Sequence, residues 1–378
     1  MVRAAGLKGS MNVAKLRGGW SQAGGEVSGL VLWNVFAGSP STPISTVRAS
    51  PNLGPEITNA LQLGGSFGFF DSRIGLDLTY YDERTSDVIV GLPGSTAGSF
   101  VATNAATLTN SGFEAGLTLV PIRMASSDVW TVSASFAKNS NSVDALTGAS
   151  SAALGPSLYG LTVEARPGYA LGALVGSGYK RDPASQKLLL EDGHPLPDSK
   201  RRVLGVMEPD WSWGASTALH RGIFELSALV DGRVGGSVYS ASNLWGVTSG
   251  SFAETAFRPD TGLLIAGIDA STGKPNAQHV SAEDYYHSLR AIQEAWVYDA
   301  SFVKLRDLRL TVAFSLKSWP VLTAQSLRAS LIGRNLAMWA KAPNIDPETA
   351  LSTTALQGVE MGQLPSARSI GVQLSLTP

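Results

Sequence analysis

Alternation with a period of two residues runs through most of this chain and leaves few folds open to it. Ile57, Asn59, Leu61, Leu63, Gly65, Phe67 and Phe69 fall on one side of an extended backbone, opposite Thr58, Ala60, Gln62, Gly64, Ser66 and Gly68. Ile74, Leu76, Leu78 and Tyr80 repeat the pattern against Arg73, Gly75, Asp77 and Thr79. The same period recurs in Phe113–Leu119, Trp130–Phe136, Phe224–Val230, Leu327–Leu331 and Ile370–Leu376. With 11–22, 209–219 and 298–316 it predicts about ten half-buried strands. The chain is therefore all-β, with one apolar and one mildly polar face to each strand. No internal repeat of roughly 20–50 residues is present, which disfavours propellers and solenoids.

The connections alternate in length. Short ones fall near 70–72, 121–128, 219–222 and 317–326, and long ones near 23–55, 84–110, 138–208, 237–297 and 338–366. In an up-and-down antiparallel sheet this puts every tight turn on one rim and every long loop on the other, as in outer-membrane barrels. Strands of about 9–11 residues suffice to span a bilayer, so most of the chain is loop. Helix is expected only at 281–295, where Ser281 and Asp284 stand close to capping-box spacing.

A β-sandwich also buries one face of each strand, so alternation alone does not choose between water and lipid. The polar faces carry mainly Ser, Thr, Gly and Gln, and only 16% of residues are charged, against about 25% in soluble domains. Aromatics gather near strand ends (Phe69, Phe70, Tyr80, Tyr81, Trp211, Trp213, Trp319, Trp339), where interfacial girdles lie. Together with the loop asymmetry these features favour a transmembrane β-barrel wall. A formal net charge of -1 gives no reason to expect a nucleic-acid partner. Without cysteine there is no disulfide or thiolate metal site. No apolar run reaches the length of a transmembrane helix, and charges and glycines interrupt the first twenty residues, which do not form a signal peptide.

Chemistry is sparse. The chain has no GxSxG elbow, Walker loop, HExxH or GxGxxG fingerprint, and His194, His220, His279 and His287 lack ligand spacing. Asp82–Glu83 reads as a solvated rim rather than a cation site. Neither an enzyme nor a cofactor or metal site is expected. The loop aromatics Tyr159, Tyr169, Trp245, Tyr285 and Tyr286 are the candidates for ligand contact, since such rings stack on sugars, although they equally serve loop packing.

One strand departs from the pattern. In DASFVKLRDLRLTVAF (299–314), Val303 and Leu305 are out of phase with Leu308, Leu310, Val312 and Phe314. A charge on the lipid face at the bilayer midplane costs about 2–4 kcal/mol, which disfavours a single register. A bulge between Leu305 and Leu308 resolves the conflict. It turns Lys304, Arg306, Arg309 and Thr311 to the lumen and the apolar residues to lipid, with water or carboxylates meeting the cations near the long-loop rim.

Several segments, in order, resemble the SusC/RagA family of TonB-dependent outer-membrane transporters. They are KLRGGWSQAG (15–24), NLGPEITNALQLGGSFGFFDSRIGLDLTYYDERTSDVI (52–89), NSGFEAGLTL (110–119) and DGRVGGSVYS (231–240). SAEDYY (281–286), YDASFVKLRDLRL (298–310), LIGRNLAMWAKAPNIDPE (331–348) and LPSARSIGVQLSL (364–376) follow. The family-motif residues are Asp299, Phe302, Lys304, Leu305 and Arg306, then Gly333, Arg334, Asn335 and Leu336, then Asp346, Pro347 and Glu348. The resemblance implies a 22-stranded barrel around a plugged lumen, of which residues 1–378 are the C-terminal part, about ten strands with the plug absent. It implies long extracellular loops, short periplasmic turns, a location in the outer membrane among its lipids, a SusD-like lipoprotein partner and, through the plug, the TonB complex. The function it implies is active import of large nutrients such as oligosaccharides or peptides, with no transport by this part alone. The ending LSLTP departs from the aromatic terminus usual in such barrels. A structural or adhesive envelope protein and a passive porin-like channel are the alternatives.

Overall fold

A computed structural model describes residues 11–25, 47–93, 100–124, 128–316, 326–352 and 356–377. Trp319, the turn at 317–325 and most of the first long connection lie outside the described residues.

Ten long strands form one antiparallel sheet in sequence order: β1 (Met11–Gly25), β2 (Glu56–Phe69), β3 (Ile74–Pro93), β4 (Phe100–Arg123) and β5 (Val129–Leu146), then β6 (Trp211–Arg221), β7 (Phe224–Val234), β8 (Phe302–Ser315), β9 (Ser326–Ala340) and β10 (Ser369–Thr377). The sheet is open. Among the described residues β1 pairs only with β2, and β10 only with β9.

Cross-strand registers separate the two faces, because directly opposed residues point the same way. One row reads Leu16, Gly65, Leu78, Ala115, Phe136, Trp213, Gly232, Val303, Trp339. The row on the other face reads Lys15, Ser66, Asp77, Gly116, Ser135, Gly214, Asp231, Lys304, Met338. The first face is the apolar band, and Tyr80, Phe113, Leu308, Leu310, Phe314, Leu331 and Trp339 stay exposed on it. The second is small and polar, as expected of a lumenal face. Tyr81 stands on this side, donating to Asn139 Oδ1 at 2.7 Å, and so belongs to the lumen rather than to a girdle.

The bulge falls in the expected interval. Against β7 the register steps from Leu229–Asp307 to Val230–Leu305, leaving Arg306 as the extra residue, and against β9 it shifts between Leu305 and Asp307, where Arg306 faces both Asn335 and Leu336. Thr311 is buried on the lumenal side, its hydroxyl 2.8 Å from that of Ser330.

The segment 84–110, read from sequence as a long loop, is mostly strand: β3 and β4 run 20 and 24 residues and pair almost to their ends. Both exceed the roughly 9–11 residues a bilayer requires. Beyond the lipid a hairpin needs no strict apolar alternation, so the periodicity fades where the pairing does not. The tops of β3–β5 instead bury Val90, Ala105, Ala106 and Val143 against the loops.

The other long connections converge on the same rim. Ser237–Ser240 pairs antiparallel with Val297–Asp299 and parallel with Val359–Glu360, joining residues 235–301 to residues 341–368. Four short strands between 152 and 206 form a further sheet. Two short helices complete the layer, α1 (Ala241–Thr248) and α2 (Ala282–Ser288). In α2 Ser281 is the N-cap, its hydroxyl accepting from Asp284 N at 3.0 Å and donating to Asp284 Oδ2 at 2.7 Å. The carboxylate thus bonds the cap hydroxyl rather than the cap backbone N–H of a full capping box. The helix then tightens into 3₁₀ turns at 289–291 and 293–296, so the helical stretch expected over 281–295 is α-helical only in its first half. Helix α1 lies where only loop was expected, opened by Ser240 accepting from Asn243 N at 3.0 Å.

Candidate functional site

The loop segments do not hang free. Leu161, Val163, Leu174, Tyr239, Leu244, Leu289, Ile292, Trp296 and Val359 form an apolar core that draws on the segments 147–210, 235–301 and 341–368, and Trp296 is among the largest fully buried side chains of the described residues. The Trp296 indole donates to Leu289 O at 3.1 Å. Gln293 fastens two loops together, accepting from Ser177 N at 2.8 Å and donating to Tyr159 O at 3.0 Å. Arg202 adds an ion pair to Glu294 at 2.6 Å. Glu360 is also buried, and its carboxylate accepts from the hydroxyls of Ser240 (2.7 Å) and Ser242 (2.6 Å) and from Gly362 N (2.8 Å). Burying a carboxylate is costly unless it is hydrogen-bonded, and these three donors meet that need. We call this unit the module.

The loop aromatics read from sequence sit on the module, but not as one patch. Tyr159 and Trp245 meet edge to face with centroids 5.4 Å apart, both substantially exposed. Tyr285 and Tyr286 contact each other at 5.2 Å and pack against the core, with the Tyr286 hydroxyl donating to Glu254 O at 3.1 Å. Tyr169 stands apart on the turn whose carbonyl accepts from Val143 N. Of the five, only Tyr159 and Trp245 present a paired, accessible surface.

The family-motif residues, far apart in sequence, assemble where β8 meets the module. Lys304 Nζ donates to Asp346 Oδ1 and Oδ2 and to Glu348 Oε2, each at 2.7 Å, and to Ser366 Oγ at 3.3 Å. Arg306 takes both oxygens of Asp231 (2.6 and 3.0 Å) and both of Glu348 (2.7 Å each). The buried Phe302 ring lies beneath, with Lys304 Nζ 5.1 Å and the Arg306 and Arg233 guanidinium carbons 5.8 Å from its centroid. Three cations thus surround one ring, and two of them, Lys304 and Arg306, pair with three carboxylates. Asp299 accepts from Lys341 Nζ at 2.7 Å and from Ser301 N at 2.8 Å. Leu305 points to the apolar face opposite Ala337, and Pro347 lines the cavity beneath the module. Asn335 adopts a left-handed backbone (φ 49°) and donates to Ala367 O at 3.1 Å; Arg334 lies 3.8 Å from Asp307. Leu336 folds over Gly333, where an added Cβ would meet it at 2.8 Å.

Asp231 and Ser366 complete this cluster but are not among the motif residues picked from sequence. One signal for Asp231 was available: it opens DGRVGGSVYS (231–240), a segment already matched to the family. The hydrogen bonds of Arg306, opposed by burial and reinforced by Lys304, pull the Glu348 carboxyl down to about 2. Burial pushes Asp346 up, but the hydrogen bonds of Lys304 and Ser366 outweigh it and leave the group below its ordinary value.

Two concavities flank the cluster. One, of about 710 Å³, lies on the inner face of the wall and is lined in part by Arg17, Asp77, Glu114, Asp231, Arg233 and Glu348. The other, of about 260 Å³, lies under the module between Glu208, Arg233 and Pro347. No cluster of three or more metal-ligating side chains occurs among the described residues.

A ten-stranded antiparallel wall with an apolar outer band, a small polar inner face and structured loops on one rim is the wall of an outer-membrane β-barrel. A family model described as TonB dependent receptor-like, beta-barrel matches residues 12–253, and the chain belongs to that family. TonB-dependent receptor P3 of Formosa agariphila is 24% identical over 365 residues, covering 88% of this chain and 35% of that protein. TonB-dependent receptor P26 of the same organism is 25% identical over 371 residues, covering 87% and 35%. The chain therefore spans about a third of the length of these relatives. The RagAB peptide transporter shares the fold, with a TM-score of 0.69 at 17% identity over 97% of this chain and 41% of that one. Its closed-closed state gives 0.70 at 16% identity over 98% and 41%. The chain is thus an outer-membrane barrel protein of the TonB-dependent receptor family, with the fold of the RagAB peptide transporter.

Proposed function

We propose that this chain forms the C-terminal ten strands of a larger SusC/RagA-type importer, with the module as the extracellular face that meets cargo. The observation that carries this reading is the pairing of an open wall with a cored loop module on one rim. Two unpaired edges suit strands supplied by further polypeptide, and a preformed module suits ligand capture at lower ordering cost than mobile loops. The likeness to the RagAB peptide transporter and to the two receptors supports import of a large nutrient, an oligosaccharide or a peptide. Tyr159 and Trp245 are the proposed first contacts, since paired exposed rings stack on flat ligand faces. A SusD-like lipoprotein covers the module in this reading, and TonB acts through a plug outside this chain.

Alone, residues 1–378 do not transport. An open sheet edge in lipid leaves backbone groups unsatisfied at a cost on the order of several kcal/mol each. Expression of these residues in a TonB-competent outer membrane, with uptake of labelled oligosaccharide and peptide pools measured with and without the proton gradient, tests this. No gradient-dependent uptake is expected. Robust uptake by the isolated chain defeats the partial-barrel reading.

A further inference from the structure

The cluster at the top of β8 does more than neutralise two lumenal cations, because its carboxylates come from two different bodies. Asp231 belongs to the wall, on β7, whereas Asp346, Glu348 and Ser366 belong to residues 341–368. That same segment enters the core of the module. Val359 and Glu360 pair parallel with Tyr239 and Ser240, Leu351, Leu356 and Met361 pack on the apolar cluster, and Glu360 takes the hydroxyls of Ser240 and Ser242 at the start of α1. We propose that Lys304 and Arg306 form a two-armed ionic latch through which the contents of the lumen act on the extracellular module.

The arms differ in access. Lys304 and Asp346 have side chains 2% and 1% exposed, so that arm is sealed from ions in solution. Arg306, Asp231 and Glu348 keep 20%, 35% and 31% of their side-chain surface, and Asp231 and Glu348 both line the large lumenal concavity. A cationic group in the lumen can compete with Arg306 for these two carboxylates, whereas it cannot reach Asp346. The sealed arm keeps the segment on the wall, and the open arm sets how tightly it is held. The latch acts on the module whatever cargo the module takes.

Hydrogen exchange on the full chain in detergent micelles tests this, following amides of 346–352 and 356–366, of α1, and of the β2–β3 hairpin as an internal reference. Asp346→Asn leaves Lys304 without its buried partner and should speed exchange in 346–366 and in α1 by on the order of 100-fold or more. Glu348→Gln removes a charged acceptor and should speed both by about tenfold. In the wild type, L-argininamide as the lumenal cation should reproduce the Glu348→Gln effect, and NaCl of equal ionic strength should do so only weakly. In Glu348→Gln the same probe should add little. If exchange in α1 stays at its wild-type rate while 346–366 opens, the segment does not connect wall to module and the proposal is wrong. An argininamide effect of undiminished size in Glu348→Gln overturns the open arm. Should Asp346→Asn fail to fold, Glu348→Gln and the probe still decide.

Discussion

In the wall, Leu308, Phe314 and Trp339 keep between 39% and 63% of their surface uncovered, whereas in the module Trp296, Tyr239 and Leu161 keep at most 2%. The module is held as a water-soluble domain is, by apolar burial around a small core. The wall is held by its hydrogen-bond ladder, and its apolar face waits for lipid, which satisfies it without packing. One chain thus contains two regions built for two solvents, and the Lys304–Arg306 cluster is the seam between them. Substitutions should therefore separate cleanly by region.

The largest separation is expected from Trp296→Ala. Removing a buried indole leaves a cavity that costs about 3–5 kcal/mol, and Leu289 O loses one of its two donors, keeping Ile292 N. Limited proteolysis should cut within 147–210 and 235–301 while the strands stay protected. Equal loss of protection in both regions would break the distinction. Next comes Leu308→Arg, on the apolar face midway along β8. It should cost about 2–4 kcal/mol in lipid by reversible unfolding, against less than about 1 kcal/mol for Ser216→Arg on the lumenal face.

Acid should reach the seam before either region. Glu348, held near 2, and Asp346, also lowered, contribute stability that is fully present above their unfolded values near 4.5 and 3.8. That contribution is lost as pH falls from there toward 2. Exchange of 346–366 should rise across this window while the β2–β3 hairpin holds, and a flat profile would place the seam's strength elsewhere. The smallest effect is expected from Tyr159→Ala or Trp245→Ala. Each should leave the module folded and weaken ligand binding by about 3–10-fold, in line with roughly 0.5–1.5 kcal/mol per aromatic contact. Calorimetry on the assembled receptor would show it.

Much of the wall was legible because each lipid-facing strand repeats the same demand. Alternate residues must be apolar across the bilayer, so Ile74–Tyr80 or Phe224–Val230 announces itself without knowledge of its neighbours. The slip at Arg306 was legible for the same reason, since a charge in lipid costs more than a bulge. The extension of β3 and β4 past 84 and 110 was not. Above the membrane either face can be polar, and only pairing between the two strands keeps Thr85 and Leu108 in register.

The sequence by itself determined the strand count, the two faces of the wall and the presence of inward cations needing partners, because these follow from local periodicity and the cost of charge in lipid. Only the tertiary structure decided which carboxylates meet those cations, that Val359 and Glu360 pair with Tyr239 and Ser240, and that Tyr159 meets Trp245 while Tyr169 does not. Each of these contacts joins residues between 42 and 120 apart. Irregular loops carry no repeating period, so their partners are set by how three segments fill one core.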